Sequence, residues 1–384
     1  MKRLLALFLS CLLILSFTAC DPPAQEPEGW YSQNGITITE SQVEKIVNGE
    51  FTTPKNVIVI IGDGMGPNDI TLAEQHAKGV YDFGLVLSKI KNHGLSTTHS
   101  ASHEVTDSAA SGTALATGVK TNNGYIGKDV DGSDLKNMAE IAREQGKKIG
   151  IITDEDISGA TPSAFVVHNI SRDNRSELAS AMIKFRPDVL MSQDHDGTMF
   201  MLDDEGRQIF DHEYLVAKDF KRFNTVLDTD PDCQKPFWGF LDGFSTAASD
   251  NLAQCAEVAL RRLQNENGFF LMIESAGTDK FGHRNDMTGK LNSVVTLDRT
   301  VAAVLKFMEK NPDTLLLITS DHETGHVQLP VTGEERLSDL LTQTEHSATP
   351  VRVFAVGKGT EYFSGKTVDN TDIAKFLIRA IDGE

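Results

Sequence analysis

The chain has 384 residues, of which 40% are hydrophobic and 24% charged, with a formal net charge of −19. That balance excludes a disordered chain, a collagen-like chain and a polytopic membrane protein. An acidic surplus without clustered Lys or Arg argues against a nucleic-acid-binding surface and assigns the charge to solvation and colloidal stability.

At roughly 150 residues per domain the length allows two or three domains, or one large α/β domain. Met1 to Ala19 reads as an export signal: Lys2 and Arg3 form a basic start, and Leu4 to Phe17 is an apolar run shorter than a membrane-spanning helix. The small residues of Phe17-Thr18-Ala19-Cys20 suggest a lipoprotein processing site with Cys20 as the lipidated residue; simple secretion is the alternative. Residues 20–50 then form a lipid-attachment site and N-terminal arm, in which Asp21 to Gly29 holds three Pro and no large apolar residue, the composition of a tether. The expected address is the periplasm or cell envelope. In the mature body only Cys233 and Cys255 remain, either as a pair in an oxidising compartment or as two separate thiols.

Residues 51–384 carry the fold. Asn56–Ile61 is a short, continuous β-branched run, and Lys148–Ile152, Phe269–Ile273, Thr314–Ile318 and Val351–Val356 are similar. Such runs suit strands buried on both faces of a sheet. Helical patterns lie between them at Leu135–Gln145, Leu252–Asn265 and Val295–Lys310. The alternation predicts a three-layer α/β/α sandwich around a mostly parallel sheet. Residues 194–232 are less periodic and read as a surface insertion or small subdomain.

Polar, ionisable residues follow several of these strands at once. Asp63 follows the first, Glu274, Asp279 and His283 follow Phe269–Ile273, Asp321 and His322 follow Thr314–Ile318, and the turn after Lys148–Ile152 ends at Thr161. Open α/β sheets place ligands beyond the carboxyl ends of their strands, so these residues are expected to converge. Four carboxylates brought together repel, each pair at 4 Å by about 4 kcal/mol at an effective dielectric of 20. Protonation or metal must offset that repulsion, and the neighbouring histidines point to metal. Mixed His and carboxylate ligands suit zinc, and an oxygen-only subset suits magnesium. His346, in the loop before Val351, is available to complete a ligand set. Taken singly, a strand-end Asp is more often a cap and a lone His more often a satisfied surface or core residue; the joint pattern is what favours a site.

Two further segments carry chemistry. In Thr106–Ala114 the residues are small, Thr106 or Asp107 is positioned to cap a helix, and Ser108 falls in its first turn, where free N–H groups favour an anion. Ser108 is a candidate nucleophile without a Gly-x-Ser-x-Gly elbow, which leaves a metal ion to stabilise its alkoxide; a tightly packed small-residue helix is the plainer reading. In Ala160-Thr161-Pro162, Thr161 reads as an N-cap and Pro162 as the first helical residue. Arg172 lies beyond that helix, with a guanidinium suited to two phosphate oxygens.

Together the segments IGDGMG (61–66), VTDSAASGTALATGVKT (105–121), ATPSAFVVHNISR (160–172), FFLMIESAGTDKFGH (269–283), TSDHETGH (319–326) and EHSATP (345–350) resemble the alkaline phosphatase family, in family order across residues 55–380. The resemblance implies a phosphomonoesterase in which Ser108 is phosphorylated and Arg172 holds the phosphate oxygens. It implies one zinc on Asp279, His283 and His346, a second on Asp63, Asp321 and His322, and a magnesium on Asp63, Thr161 and Glu274. Lys280 would reach phosphate through water. Two departures stand out. Many relatives carry Asp or His two residues before the Thr161 position, where this chain has Gly159, which leaves the third metal's identity open. Only 23 residues separate His322 from His346, too few for the crown-like dimer insertion of longer members, so the oligomeric state is not fixed by the resemblance. Competing readings are a phosphodiesterase of the same superfamily, disfavoured by Ser108 with Arg172, and a non-catalytic metal- or phosphate-binding lipoprotein, which has no need of a nucleophile.

Overall fold

The computed structural model describes residues 29–30, 38–81, 84–193, 200–203, 205–223, 235–241, 245–330 and 335–383. The export signal, Cys20 and Cys233 lie outside the described residues.

Ten strands form one central sheet: β1 (Asn56–Gly62), β2 (His93–Thr97), β3 (Lys148–Thr153), β4 (Val189–Gln193), β5 (Lys221–Phe223), β6 (Phe237–Leu241), β7 (Phe269–Ser275), β8 (Thr314–Thr319), β9 (Val351–Val356) and β10 (Thr367–Asp369). Their spatial order is β10-β2-β9-β8-β1-β7-β3-β4-β6-β5. Only β9 runs antiparallel to its neighbours, β8 and β2; the remaining pairs are parallel. The expected mostly parallel α/β/α sandwich is therefore the observed fold. Within residues 194–232 the described part holds a short hairpin (Phe200–Leu202 with Gln208–Phe210), the helix Asp211–Ala217 and β5, which pairs with β6 at one edge of the sheet.

The continuous apolar runs are explained by two cores, one on each face. In β1, Ile58 and Ile60 point into one core while Val57, Val59 and Ile61 point into the other. In β7, Phe269, Leu271 and Ile273 alternate in the same way with Phe270 and Met272. Helices Asn251–Leu263 and Met287–Met308 cover the first face, and helices Met138–Glu144, Arg175–Phe185 and Asn370–Asp382 cover the second. With neither face open to water, a polar residue has no place until the strand ends.

Register then sets the site. Glu274 is paired with Ile61 of β1 and with Thr153 of β3, and Thr319 of β8 is paired with Ile61. The residues that follow these strands thus emerge together at the carboxyl end of the sheet. No helix of the described residues is long and apolar enough to cross a membrane.

Two helix ends differ from expectation. Thr161 is not an N-cap: the one-turn helix runs Ala160–Ala164 with Gly159 at the cap, and Ser163 N donates to Gly159 O at 3.1 Å. Pro162 still lies in the first turn, where no N–H is needed. The long helix begins at Met287, eight residues before the predicted Val295, capped by Asp286, which accepts from Gly289 N at 3.0 Å.

Candidate active site

Ser108 opens the helix Ser108–Thr117. Asp107 is its cap, with Oδ1 accepting from Ala110 N at 3.0 Å. The small residues of this helix serve close packing as well. A Cβ on Gly112 would lie 3.1 Å from Ala164 Cβ and 3.4 Å from Thr161 Cα, so the Thr161 helix rests directly against it. Ser111 Oγ donates to Asp321 O at 2.6 Å, tying the helix to the loop after β8.

Ser108 Oγ lies 3.1 Å from His322 Nε2. The same nitrogen is 3.2 Å from Asp321 Oδ2 and 3.5 Å from Asp63 Oδ1. Asp321 is oriented through its other oxygen, which accepts from Gly64 N at 3.1 Å and His322 N at 2.9 Å. Gly64 is required here: its φ is +68°, and a Cβ would meet Thr324 Oγ1 at 2.6 Å and Asp279 Cα at 2.8 Å.

Next to this group, Asp279 Oδ1 lies 3.2 Å from His283 Nε2 and 3.4 Å from His346 Nε2, and the two imidazole nitrogens are 3.2 Å apart. Both rings are fixed from behind: His283 Nδ1 is 2.6 Å from Thr344 O and His346 Nδ1 is 3.0 Å from Thr106 O. With Nδ1–H donated to a carbonyl, each ring turns Nε2 toward Asp279, where it can ligate a metal once the Nε2 proton is given up. Thr324 Oγ1 donates to Asp279 Oδ1 at 2.6 Å.

Among the described residues two sets have ligand atoms close enough to share one ion: Asp279 with His283 and His346, and Asp63 with Asp279 and His322. Asp321 borders the second set through His322. The fit to cations rests on a further observation. Asp63 Oδ1, Asp321 Oδ2, Glu274 Oε1 and Thr161 Oγ1 are buried and have no hydrogen-bond partner. Buried oxygens are rarely left so, and cations would satisfy them.

The electrostatics agree. Burial, then Asp321 and Asp279, hold the Asp63 carboxyl well above the usual range. Burial, then Glu155, do the same for Glu274. Burial raises Asp321 to about 6. Asp279 goes the other way: burial raises it, but hydrogen bonds from His283 and His346 win and hold it well below 3.8. Burial and the charge of His346 depress His322, so its ring is neutral.

Arg172 Nη1 lies 3.0 Å from Asp107 Oδ2, and Gly124 N donates to the same oxygen at 3.0 Å. Lys280 Nζ lies 3.0 Å from Glu155 Oε2 and 4.0 Å from Asp279 Oδ2, so Glu155 is its direct partner.

Ser108, Asp63, Asp321 and His322 are thus brought together, with Asp279, His283 and His346 beside them; Arg172 joins through Asp107, Lys280 through Glu155, Thr161 through the packing of its helix on that of Ser108, and Glu274 lies level with Ile61, two residues before Asp63. Sequence reading missed Thr324, which steadies Asp279, and Asp154, which accepts from Ala276 N at 2.6 Å beneath the Asp279 helix. It also missed Lys290, whose buried Nζ donates to Gly64 O at 2.9 Å and Asp69 Oδ2 at 2.8 Å. Asp154 was legible as one more strand-end acid after β3. Lys290 carried no such signal, being a lysine inside a helix.

Comparison with known proteins gives a consistent picture. The family model described as alkaline phosphatase matches residues 54–197 and 244–337, passing over most of the less periodic stretch. Alkaline phosphatase 4 of Bacillus subtilis is 32% identical over 312 residues, 73% of this chain; the match spans 64% of that relative's length. The solved alkaline phosphatase of the Antarctic bacterium TAB5 is 28% identical, with a TM-score of 0.74 over 87% of this chain and 99% of that one. A variant of that enzyme is known with magnesium bound in its M3 site.

Proposed function

The chain belongs to the alkaline phosphatase family, and from that premise we propose that it hydrolyses phosphate monoesters through a phosphoserine at Ser108. Ser108 Oγ attacks phosphorus, the ester P–O bond breaks, and the alcohol leaves. Water then attacks the phosphoserine, releasing inorganic phosphate and restoring the hydroxyl. The observation that carries this reading is the position of Ser108 Oγ at a helix N-terminus, 3.1 Å from His322 in a cage of unpartnered carboxylate oxygens.

Each residue has a task. The first-turn N–H groups of the Ser108 helix attract the phosphate dianion. Arg172, steadied by Asp107, offers its planar fork to the phosphate oxygens. Asp279, His283 and His346 would hold one zinc, Asp63, Asp321 and His322 a second, and Asp63, Thr161 and Glu274 a magnesium. Bound there, the cations would supply Lewis acidity for a serine alkoxide and the leaving oxygen, and positive charge for an anionic substrate. Neutral His322 keeps a lone pair free for that purpose, and the back-bonded His283 and His346 would offer theirs on giving up the Nε2 proton they share with Asp279. Lys280, expected to reach phosphate through water, is paired with Glu155 and lies 4.0 Å from Asp279 Oδ2.

The test is a paired assay of an aryl monoester and an aryl diester. Wild type should favour the monoester, and Ser108→Ala should abolish turnover while phosphate still binds. S108A turnover within tenfold of wild type rejects the nucleophile, and a diester preference moves the chain to the phosphodiesterase reading. We also propose export to the periplasm or cell envelope with a lipid anchor at Cys20, supported by the sequence of residues 1–20. Labelled fatty acid should enter wild type and not Cys20→Ala; equal labelling rejects the anchor.

A further inference from the structure

Gly159 and Glu155 compete for one space. Gly159 has φ −52° and ψ 148°, a backbone that other residues adopt freely. Yet a Cβ built there would lie 2.2 Å from Glu155 Oε1. The nearest obstacle to a side chain at residue 159 is therefore the carboxylate of Glu155, with Asp156 O behind it at 3.0 Å. That carboxylate is held in place: its Oε2 meets Lys280 Nζ at 3.0 Å, and its side chain is only 14% exposed. Its backbone is pinned as well, with Glu155 N donating to Thr153 Oγ1 at 3.1 Å and Gln193 N donating to Glu155 O at 2.9 Å.

The neighbouring groups have unmet needs. Thr161 Oγ1, two residues after Gly159, and Glu274 Oε1 are both buried and unpartnered. Glu274 Oε2 is already taken by the Thr153 hydroxyl. After burial itself, Glu155 is the strongest influence on the Glu274 carboxyl. A buried hydroxyl and carboxylates without an imidazole are an oxygen-only set of the kind magnesium takes, commonly with several retained waters.

We propose that Glu155 is an acidic member of the third cation's shell, occupying the space Gly159 leaves open beside Asp63, Thr161 and Glu274. The inference rests on the metal-dependent reading given above and deepens it. Lys280 has a defined part in this arrangement: it balances Glu155, so that an otherwise acidic pocket can be kept folded before a cation arrives. The two positions also become interchangeable in principle. An acid at residue 159 can do the work of residue 155 once the Glu155 side chain is removed.

Magnesium chloride titrated by calorimetry into zinc-loaded protein tests this, with metal content read by mass spectrometry. Wild type should bind one magnesium beyond its zinc. Glu155→Gln should weaken magnesium roughly 10- to 100-fold with zinc content unchanged. The double variant Glu155→Ala with Gly159→Asp should recover most of that affinity, whereas Gly159→Asp alone should not improve on wild type. Magnesium affinity in E155Q equal to wild type, with zinc retained, overturns the proposal. So does loss of zinc in step with magnesium, which would make Glu155 a general support of the cage. A wild-type protein that takes up zinc but no further cation is seen before any variant is compared; it refutes the third-site reading and this inference with it.

Discussion

Asp107 holds Arg172 at 3.0 Å while its other oxygen caps the helix that starts with Ser108. One side chain therefore positions both the hydroxyl that would attack phosphorus and the guanidinium that would receive its oxygens. Asp107→Asn retains an acceptor for the cap and loses the charge that steadies Arg172. With about 1 kcal/mol at stake, inhibition by inorganic phosphate should weaken roughly fivefold while the melting temperature barely moves. Asp107→Ala should show the same weakening and lose a further ~1 kcal/mol of stability through the missing cap. Unchanged phosphate inhibition in D107N would detach Asp107 from Arg172's role.

Lys290 and Asp69 form an ion pair with both side chains fully buried, 2.8 Å apart. Lys290 also donates to Gly64 O, and Gly66 N donates to Asp69 Oδ2 at 2.7 Å, so the pair clamps the turn that carries Asp63. Removing one partner strands the other charge in the core. Lys290→Met should cost about 3–5 kcal/mol in denaturant unfolding. Adding Asp69→Asn should recover part of that loss, because no charge is then left unpaired. A K290M protein as stable as wild type would contradict the clamp.

How much of this was legible depended on where polarity fell. The strands of the sheet interior were readable because both faces are buried, and a run such as Asn56–Ile61 then has no polar interruption. The site residues were readable because each stands just past such a run, where a polar side chain has no packing reason to be. The same logic failed inside the helix Met287–Met308, where buried Lys290, Asn292 and Ser293 broke the apolar period and hid its first two turns. Thr161 was misplaced as a cap because a Thr-Pro pair is a common helix start, whereas Gly159 takes that position and frees the Thr161 hydroxyl. Glu155 was overlooked because its meaning depends on Gly159, a relation in space rather than in spacing.

Asp154 gives a pH signature. Burial raises its carboxyl from 3.8 to about 7, against the hydrogen bond from Ala276 N. The folded state therefore holds a proton that the unfolded chain releases above pH 4. Stability from this group is full below pH 4 and falls as pH rises toward 7, by on the order of 4 kcal/mol at most. In chelator-treated protein, Asp154→Asn should flatten that decline between pH 4 and 7. A D154N protein whose stability falls as steeply as wild type over this range would show that Asp154 does not carry the extra proton.

The central claim is that distant segments fold into a cation cage facing Ser108, and reconstitution tests it most directly. Chelated protein should turn over an aryl phosphate at well under a hundredth of its original rate. Activity should return as zinc and magnesium are restored, tracking bound metal, and His346→Ala or Asp321→Ala should lose zinc and activity together. Full turnover by protein shown to be free of metal would contradict the account.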